Sequence, residues 1–475
     1  MKKRKIGLLA GGIEVYWTDL GMKELPERLD KDVKRLIDAL SDEFEVIYPG
    51  LVGSKEEAAL AGKAVRDADV DLALMYHSSY LDDAMSLAFL DEIGNTFSIL
   101  FHSQGFGSFT EDLDLVDFGR GWGNNSSIQL PGTLRRLRPN LQYGYVFGGL
   151  TDPESLHEIK EYAYAASAVK NLKGKRFGYL PHRCTGVPMY DTFPDEPRLM
   201  SHTGIEIEYL YIIDLVSEMK KVTNTEAEKL TTQLYADYDV VEPSREEVVA
   251  AARQAIALER MVEQNNLDAI SVDFSGRLIP LTGAMPCVGM ARLIDQGIVV
   301  STEGDIQAAV AGLMVKEVTG LIGHFWENLA FDTDKNWVLG GHEGGSAGFS
   351  MAKKGTKARL RGTQYVDMKD IPGAPPLGVV PEFITDPGPV TLVTLYRDKL
   401  DYEMRIACGE SVDLPNQSVQ YEHAVFKPNV PLKTYFENIA HYGVDHHFAM
   451  ARGNVAGVFE KIAQIIGIKN QCLTR

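Results

Sequence analysis

Five residues in the second half of the chain have the side-chain types of a metal site. They are Glu303 in STEGD, Glu327 in HFWEN, His342 in GGHEGG, and the adjacent His446 and His447 in YGVDHHFAM. Carboxylate oxygens are hard ligands and imidazole nitrogens intermediate ones, so the set favours Mn²⁺, Co²⁺ or Fe²⁺ over metals that prefer thiolates. An ion bound by several protein atoms keeps free positions for substrate oxygens. We therefore predict a catalytic rather than a structural metal site.

The sequence around these residues favours a site over isolated surface groups. Single Glu and His side chains are usually solvated or satisfied by ordinary hydrogen bonds. Here each one sits beside glycine or among apolar residues, in a stretch typical of a strand end or a tight loop. Loops carried on a rigid scaffold are where proteins usually present reactive groups.

Length and composition indicate a globular protein with several domains. The chain has 475 residues and is 45% hydrophobic, which is too long for one core and predicts about three domains. Its net charge of −18 argues against nucleic acid and anionic membranes as partners, because both bind concentrated basic surface. The four cysteines lie far apart without a CxxC pair, which predicts a reduced, cytoplasmic protein.

The basic start, MKKRKIGLLAGG, superficially resembles a signal peptide. Its apolar run from Ile6 is short, is broken by Gly11 and Gly12, and is not followed by an A-x-A cleavage pattern. We therefore expect a first buried strand here. No apolar run in the chain approaches the roughly 18 residues that a membrane span needs.

The first part of the chain alternates short apolar runs with helical patterns, which predicts βαβ units and a parallel sheet. The predicted strands are residues 6–10, 44–47, 72–75 and 97–101, and the predicted helices include 30–40 and 56–67. His77, His102 and Gln104 follow two of these strands. Ligands of open α/β sheets collect at the carboxyl ends of strands, so we predict substrate contacts there.

A second α/β unit is expected from about residue 173, with strands at 176–180, 205–211, 269–272 and 298–301. The last of these strands delivers Glu303 to its carboxyl end. A helix over 306–318 follows, and its positive N-terminus favours a nearby carboxylate.

From about residue 323 the sequence becomes rich in Gly, Pro and strand patterns. The runs 389–396 and 402–408 predict a β-hairpin with a charged turn, and a helix over 455–466 is expected to close the chain. We therefore place the domains at residues 1–172, 173–322 and 323–475.

The order of Glu303, Glu327, His342 and the HHF motif resembles the L-arabinose isomerase and L-fucose isomerase superfamily. The strongest part of the resemblance runs from residue 276 to residue 349. It implies an α/β protein with two Rossmann-like α/β domains followed by a β-rich carboxyl-terminal domain. It also implies a homo-oligomer, often a hexamer, in which the first domain covers a neighbour's site. His102 and Gln104 would then act across a subunit interface.

The resemblance also implies roles for the metal-site residues. Glu303 and Glu327 would both bind Mn²⁺ or another divalent cation and handle protons, and His342 would be a ligand. Of the adjacent pair, His447 would bind the metal and His446 would contact substrate, although the sequence leaves the reverse assignment open. The activity implied is interconversion of an aldose and a ketose, through a cis-enediol or by a hydride shift. Glu327 is our choice for the primary base, with Glu303 as its partner.

The sequence departs from the family where sugar specificity would be set. The start reads IEVYW, and the second domain carries LPHRCTGVPMYD at 180–191, from which we predict Arg183 and Tyr190 as substrate contacts. The sugar therefore stays open between L-arabinose, L-fucose, another deoxy sugar and an acidic sugar such as a sulfonated hexose. An acidic sugar needs a cation, for which Arg183 or Arg452 is available. The alternative from another class is a non-catalytic sugar-binding protein, because paired α/β domains also build periplasmic sensors.

Overall fold

The structure, a computed structural model, describes residues 3–180, 189–273, 278–342, 344–363 and 378–475. The chain forms two compact units, Met1–Lys170 and Asn171–Arg475. The predicted boundary at residue 322 falls inside the second unit, and the three-domain division stays a prediction.

The first unit is built on a parallel sheet with helices between its strands, as predicted. In the described residues the strand order is β2-β1-β3-β4-β5, and every pair is parallel. This is the flavodoxin-like order of doubly wound proteins. Its strands are β1 (Arg4–Ala10), β2 (Phe44–Ile47), β3 (Leu72–Tyr76), β4 (Ser98–His102) and β5 (Gly144–Phe147). Its helices are α1 (Val15–Thr18), α2 (Leu25–Leu40), α3 (Lys55–Asp67), α4 (Asp83–Glu92), α5 (Leu115–Gly121), α6 (Gly123–Leu137) and α7 (Pro153–Leu172).

The amino-terminal part of the second unit repeats this arrangement. Four described strands form a parallel sheet in the order β10-β9-β6-β7, in which the first strand is again central and the second lies at an edge. The strands of this sheet are β6 (Arg176–Leu180), β7 (Glu206–Tyr209), β9 (Ala269–Val272) and β10 (Val299–Thr302). The short strand β8 (Asp239–Val240) pairs instead with residues 359–360 of the carboxyl-terminal sheet. The helices are α8 (Glu196–Thr203), α9 (Ile212–Lys221), α10 (Asn224–Asp237), α11 (Arg245–Gln264), α12 (Leu278–Thr282), α13 (Cys287–Asp295) and α14 (Ile306–Thr319).

The carboxyl-terminal part is rich in β-structure and contains a barrel. The described strands form one sheet in the order β19-β16-β15-β18-β11-β12-β17-β14-β13-β8, and an extra β16–β17 pairing closes it. The strands are β11 (His324–Asp332), β12 (Trp337–His342), β13 (Arg359–Gly362), β14 (Val379–Ile384), β15 (Gly388–Asp398), β16 (Asp401–Ser411), β17 (Glu422–Pro428), β18 (Phe448–Arg452) and β19 (Lys469–Cys472). A 3-10 helix (Phe349–Met351) and the helices α15 (Leu432–Tyr442) and α16 (Ala456–Ile466) complete it.

The predicted hairpin is confirmed, because β15 and β16 pair antiparallel through a turn at Lys399 and Leu400. The expectation that a helix closes the chain is wrong. Strand β19 follows α16 and pairs in parallel with β16. Its sequence, KNQC, has no apolar run, so only its remote pairing partner reveals it as a strand.

Helix α14 joins the parallel sheet to the barrel. It is apolar nearly all round and buried from Ile306 to Val315, as expected for a helix enclosed on every side. It packs on β10 on one side and on β15 and β18 on the other. Its amino terminus therefore lies where the end of β10 meets the barrel. Among the described helices, none has the length and apolar character that a bilayer span requires.

Candidate active site

Four of the predicted metal ligands converge in the second unit. The His342 Nε2 atom lies 3.8 Å from Glu303 Oε2 and 4.0 Å from Glu327 Oε1, and His447 Nε2 lies 3.5 Å from Glu303 Oε2. One ligand atom each from Glu327, His342 and His447 lies within 4.8 Å of the other two. Two carboxylates and two imidazoles therefore face one small volume.

Glu303 occupies the tight turn between β10 and α14. Its φ is 59°, a left-handed conformation that costs a non-glycine residue about 1–2 kcal/mol, and Gly304 after it has φ 74°. Asp305 then caps α14, because its carboxylate accepts a hydrogen bond from the Ala308 N–H at 3.0 Å. The turn holds the Glu303 side chain at the end of the strand, as the sequence predicted, and strain of this kind is common at functional sites.

Three neighbouring barrel strands supply the other ligands. β11 carries Glu327 and lies between β12, which ends at His342, and β18, which begins directly after His447. The Phe325 ring packs against both imidazoles, with ring centroids 5.0 Å from His342 and 4.7 Å from His447. Gly341 has φ 152°, and a Cβ there would lie 2.1 Å from the Glu422 carbonyl oxygen, so this approach to β17 requires glycine.

His447 has the surroundings of a metal ligand. It is fully buried, and its Nδ1 bonds to the Asp305 carboxylate at 2.8 Å. Its Nε2 is buried and has no hydrogen-bond partner among the described residues. Burial and the neighbouring imidazoles of His446 and His342 hold the His447 pKa well below its ordinary value, so the ring is neutral. A neutral ring with Nδ1 donating to a carboxylate leaves Nε2 with a lone pair to offer, as in carboxylate–histidine–metal triads.

His446 is held differently from its neighbour. Its Nδ1 lies 2.5 Å from Asp191 Oδ2, and its backbone N–H donates to the same oxygen at 3.1 Å. About a third of its side chain is exposed, whereas His447 is fully buried. Burial raises the Asp191 pKa, but the bond to His446 outweighs this and lowers it to about 2, so the carboxylate is ionised. Asp191 was not predicted, and it lies 255 residues from its partner.

Two further buried acids lie behind His447. Asp445 accepts a hydrogen bond from Gln307 Nε2 at 2.8 Å, and from the backbone N–H of His447 at 3.1 Å. Burial, followed by the charge of Asp305, raises the Asp445 pKa well above its ordinary value, and burial raises that of Asp305 as well. The two carboxyls are therefore best described as a pair that shares a proton.

The electrostatics keep Glu303 ionised while a nearby acid is neutral. Burial tends to raise the Glu303 pKa, but the interaction with the neighbouring His342 imidazole is the main opposing effect, and the pKa is lowered. Glu422, opposite His342 across β12 and β17, is fully buried, and burial raises its pKa to about 8. Glu422 therefore adds no negative charge at neutral pH.

The donor set fits a divalent cation. A buried Nε2 without a hydrogen-bond partner costs free energy unless something occupies its lone pair. Here the His342 imidazole and the partly exposed carboxylates of Glu303 and Glu327 lie close to that atom. The mixture of hard oxygen and intermediate nitrogen matches Mn²⁺ and related ions.

Comparison with known proteins gives the family. Residues 198–320 match the model of the L-arabinose isomerase central domain. A sulfoquinovose isomerase of Alkalicoccus urumqiensis is 20% identical over 346 residues, which are 71% of this chain and 73% of that protein. The sulfoquinovose isomerase of Priestia megaterium is 22% identical, with 69% and 71% covered. The L-arabinose isomerase of Serratia proteamaculans is 28% identical over 221 residues, which are 43% of this chain and 42% of that protein.

The central-domain match and these relatives support the L-arabinose isomerase superfamily for this chain. The relatives named above are isomerases, which supports the same class of enzyme here. The resemblance read from the sequence is confirmed. The matched residues 198–320 include Glu303 and helix α14, which lie at the centre of the described cluster.

Two other predicted site residues, His102 and Gln104, lie in the first unit. His102 Nε2 donates to Asn124 Oδ1 at 2.8 Å, and the Tyr145 hydroxyl lies 2.7 Å from His102 Nδ1. Gln104 accepts from Asn124 Nδ2 at 3.0 Å and donates to the Phe106 carbonyl at 3.0 Å. Both side chains are thus satisfied within their own unit, and their role as sugar contacts stays a prediction.

The remaining predicted contacts are less informative. Tyr190 is 74% exposed and packs edge-on against Phe193. Arg183 lies outside the described residues. The Arg452 guanidinium donates to the backbone carbonyls of Asp386 and Pro387, so it is engaged at that position.

Sequence reasoning missed several residues that position this site. Asp191, Asp305, Gln307 and Glu422 were not predicted as site residues. The sequence did contain a signal for Asp305. The residue lies two positions after Glu303 and is suited to cap the following helix, which fixes it close to the proposed ligands. Asp191 and Glu422 gave no comparable signal, since their partners are distant in the chain.

Buried Arg405 fixes the loop that carries the histidine pair. Its guanidinium donates to the carbonyls of Gly443 at 2.8 Å and Tyr442 at 2.7 Å, at the carboxyl end of α15. Gly443 has φ 68°, and a Cβ there would lie 2.9 Å from the Tyr396 ring. The chain is therefore anchored only three residues before His446, which limits the motion of both imidazoles.

Proposed function

We propose that this protein is a metal-dependent aldose–ketose isomerase whose site consists of Glu303, Glu327, His342 and His447. The observation that carries the proposal is the buried Nε2 of His447, which faces a carboxylate at 3.5 Å and has no hydrogen-bond partner among the described residues. A structural ion pair would leave no such atom. The isomerase relatives support the reaction class.

These four side chains would hold Mn²⁺, with Co²⁺ and Fe²⁺ as alternatives. When bound, such an ion polarises two adjacent sugar oxygens and stabilises the negative charge that develops on them. His447 would present Nε2 because Asp305 holds the proton of the ring at Nδ1.

The two carboxylates would move the protons. Glu327 removes the C2 proton of the aldose and returns it to C1, so the sugar passes through a cis-enediol. Glu303, which the neighbouring His342 keeps ionised, transfers the second proton from the hydroxyl oxygen on C2 to the oxygen on C1. A hydride shift between C2 and C1 is the alternative route.

The substrate we favour is an acidic sugar. The sulfoquinovose isomerases match 69–71% of the chain, whereas the L-arabinose isomerase matches 43% of it at higher identity. A sulfonate needs a cation, and Arg183 is our choice because the Arg452 guanidinium is engaged with backbone carbonyls. L-arabinose and L-fucose are the neutral alternatives.

We also propose that the active enzyme is a cytoplasmic homo-oligomer, with a hexamer favoured. His102 and Gln104 of one subunit, together with Tyr190 and His446, would then contact the sugar. This follows from the family resemblance, in which the first domain covers a neighbour's site.

A sugar panel tests the proposal directly. The purified protein is incubated with Mn²⁺ and with sulfoquinovose, L-arabinose or L-fucose, and ketose formation is measured. We expect turnover of at least one sugar, and turnover of sulfoquinovose above the neutral sugars. Solvent deuterium in the product supports the enediol, and its absence over many turnovers supports the hydride shift. A protein that binds Mn²⁺ but converts no aldose would refute the function.

A further inference from the structure

Asp191 makes two hydrogen bonds to one residue of the proposed site. A single carboxylate oxygen, Oδ2, accepts the His446 backbone N–H at 3.1 Å and lies 2.5 Å from the ring nitrogen Nδ1. A bond to the backbone and another to the ring of the same residue fix both its main chain and its side-chain torsions. An ionised carboxylate only accepts hydrogen bonds, so Nδ1 carries the proton.

Asp191 is itself fixed to the core of the second unit. Its backbone carbonyl accepts a hydrogen bond from Gln307 Nε2 at 3.2 Å, and the same amide nitrogen donates to Asp445 at 2.8 Å. Four residues later, the Asp195 N–H donates to the Tyr402 hydroxyl at 2.8 Å. The Gln307 bond ties Asp191 itself to α14 and makes it a rigid support, whereas the Tyr402 bond holds only the far end of the segment against β16.

The ring that Asp191 holds borders the metal-site cluster. One nitrogen of His446 lies within 4.8 Å of a Glu303 oxygen and a His447 nitrogen, and the two imidazole centroids are 3.9 Å apart. About a third of the His446 side chain is exposed, so a small molecule in the site can reach it. With Nδ1 bound to Asp191, the second nitrogen, Nε2, is the one available to such a molecule.

We infer that Asp191 is a positioning residue, which fixes the His446 ring so that Nε2 meets a hydroxyl of the bound sugar. The inference rests on the proposed function, because it needs a sugar at this site. It assigns no direct contact between Asp191 and either metal or substrate. The role is analogous to that of carboxylates that orient metal-binding histidines.

A double-mutant cycle tests whether Asp191 acts through His446. The variants are Asp191→Ala, His446→Ala and the double variant, each assayed with the sugar that the wild-type protein converts. We expect Asp191→Ala to lower kcat/KM by about 10–100-fold, the range found for residues that orient a ligand. In the His446→Ala background, removing Asp191 should cause less than about a twofold further loss. Independent losses that multiply in the double variant would overturn the inference.

Two measurements separate positioning from a general structural role. Mn²⁺ affinity of Asp191→Ala should stay within about twofold of wild type, because His447 and the other proposed ligands keep their contacts. Asp191→Asn should recover most of the activity, since its amide oxygen can accept the same two hydrogen bonds. Loss of metal binding in Asp191→Ala, or an Asn variant as weak as Ala, would contradict the role.

The matched control removes the other tie of the same segment. Tyr402→Phe deletes the hydroxyl that binds the Asp195 N–H and leaves the Asp191–His446 contact in place. We expect activity within about twofold of wild type. The downfield imidazole N–H resonance of His446, assigned in metal-free ¹⁵N-histidine protein by its loss in His446→Ala, should persist in Tyr402→Phe and disappear in Asp191→Ala. Persistence of that assigned resonance in Asp191→Ala would overturn the contact.

The outcomes distinguish this inference from the proposed function. If the wild-type protein is an active isomerase and Asp191→Ala has wild-type kcat/KM, only the Asp191 role fails. If the wild-type protein converts no sugar, the proposed function fails and the Asp191 role fails with it.

Discussion

His77 and His102 in the first unit, and His342 and His447 in the second, lie at or just beyond strand ends, but their ring nitrogens have different partners. His77 is fully buried between two hydroxyls, with Ser126 Oγ 3.0 Å from Nδ1 and Ser86 Oγ 3.3 Å from Nε2. Both ring nitrogens of His102 are likewise bonded to neutral groups. His447 instead has a carboxylate at Nδ1 and no hydrogen-bond partner at Nε2 among the described residues.

This difference matters because His77 and His102 lie at the carboxyl ends of strands of a parallel sheet, at the edge where ligands of such sheets usually collect, whereas His342 and His447 lie at the ends of barrel strands. A histidine after a strand in a sheet of this type is therefore not in itself a sign of a binding site. The informative features are an unsatisfied buried nitrogen and charged groups that face it. By that criterion the first unit holds satisfied core histidines, and the second unit holds the metal centre that we propose.

The largest expected effect is on catalysis by the two carboxylates. Glu303→Gln and Glu327→Gln should each lower kcat by about 10²–10⁴-fold, because each removes a group proposed to transfer protons. The amide keeps the size of the side chain, so circular dichroism should show a folded protein. Glu437→Gln, at a largely exposed carboxyl on α15, is the matched control and should keep wild-type activity. Near-wild-type turnover in either site variant would contradict the proposal that this carboxylate transfers protons in the reaction.

Metal removal should affect the second unit and spare the first. Chelation should abolish turnover, and added Mn²⁺ should restore it. At a metal concentration of 100 times the Kd, binding should stabilise the folded state by about 2.7 kcal/mol, seen as a rise in Tm. Hydrogen exchange should show Mn²⁺-dependent protection around β10, β11 and β18. Equal protection around β3 and β4 would contradict the distinction between the two histidine clusters.

Two helix caps give a matched pair for the role of Asp305. Asp305 caps α14 and bonds to His447, whereas Asp82 caps α4 in the first unit through the Met85 N–H at 2.8 Å. Replacement of either by Ala should cost about 1 kcal/mol of stability. Asp305→Ala should in addition weaken Mn²⁺ binding by about 10–100-fold, as titration calorimetry would measure.

The Asn variant sharpens this comparison. Asp305→Asn should keep both the cap and a hydrogen bond to His447 Nδ1, so its affinity loss should be smaller than that of Ala. If Asp82→Ala weakened Mn²⁺ binding as much as Asp305→Ala, the loss would reflect general destabilisation.

The smallest expected effect is the pH dependence that His77 contributes to stability. Burial lowers its pKa from 6.5 to about 3, so the unfolded chain binds the proton more readily than the folded one. The stability that depends on a neutral His77 ring is therefore fully present above pH 6.5, and it is lost as the pH falls from 6.5 towards 3. Between pH 7 and 5.5 the loss should be about 1 kcal/mol, and His77→Gln should show a shallower decline in urea unfolding. An unchanged decline would mean that His77 is not held neutral.

Local sequence was enough to predict most elements and the carriers of the proposed ligands. The apolar runs at β1, β3 and β10 appear in the structure as strands, as expected. Glu303 lies one residue after its strand, as the pattern indicated. These features depend on periodicity and on groups within a few residues, which a single sequence contains.

Tertiary structure decided which of those groups meet. Asp191 reaches His446 across 255 residues, and Asp305 reaches His447 across 142. β19 is a strand only because β16 offers it hydrogen bonds, and the barrel closes through β16 and β17.

The sequence by itself therefore indicated the residues that we propose as ligands, most of the elements that carry them and the superfamily that they resemble. The tertiary structure decided that His447 is the buried ring with an open nitrogen and that His446 is the ring held by a carboxylate. The physical reason is that burial and hydrogen-bond satisfaction depend on contacts between distant segments, which spacing along one chain does not encode.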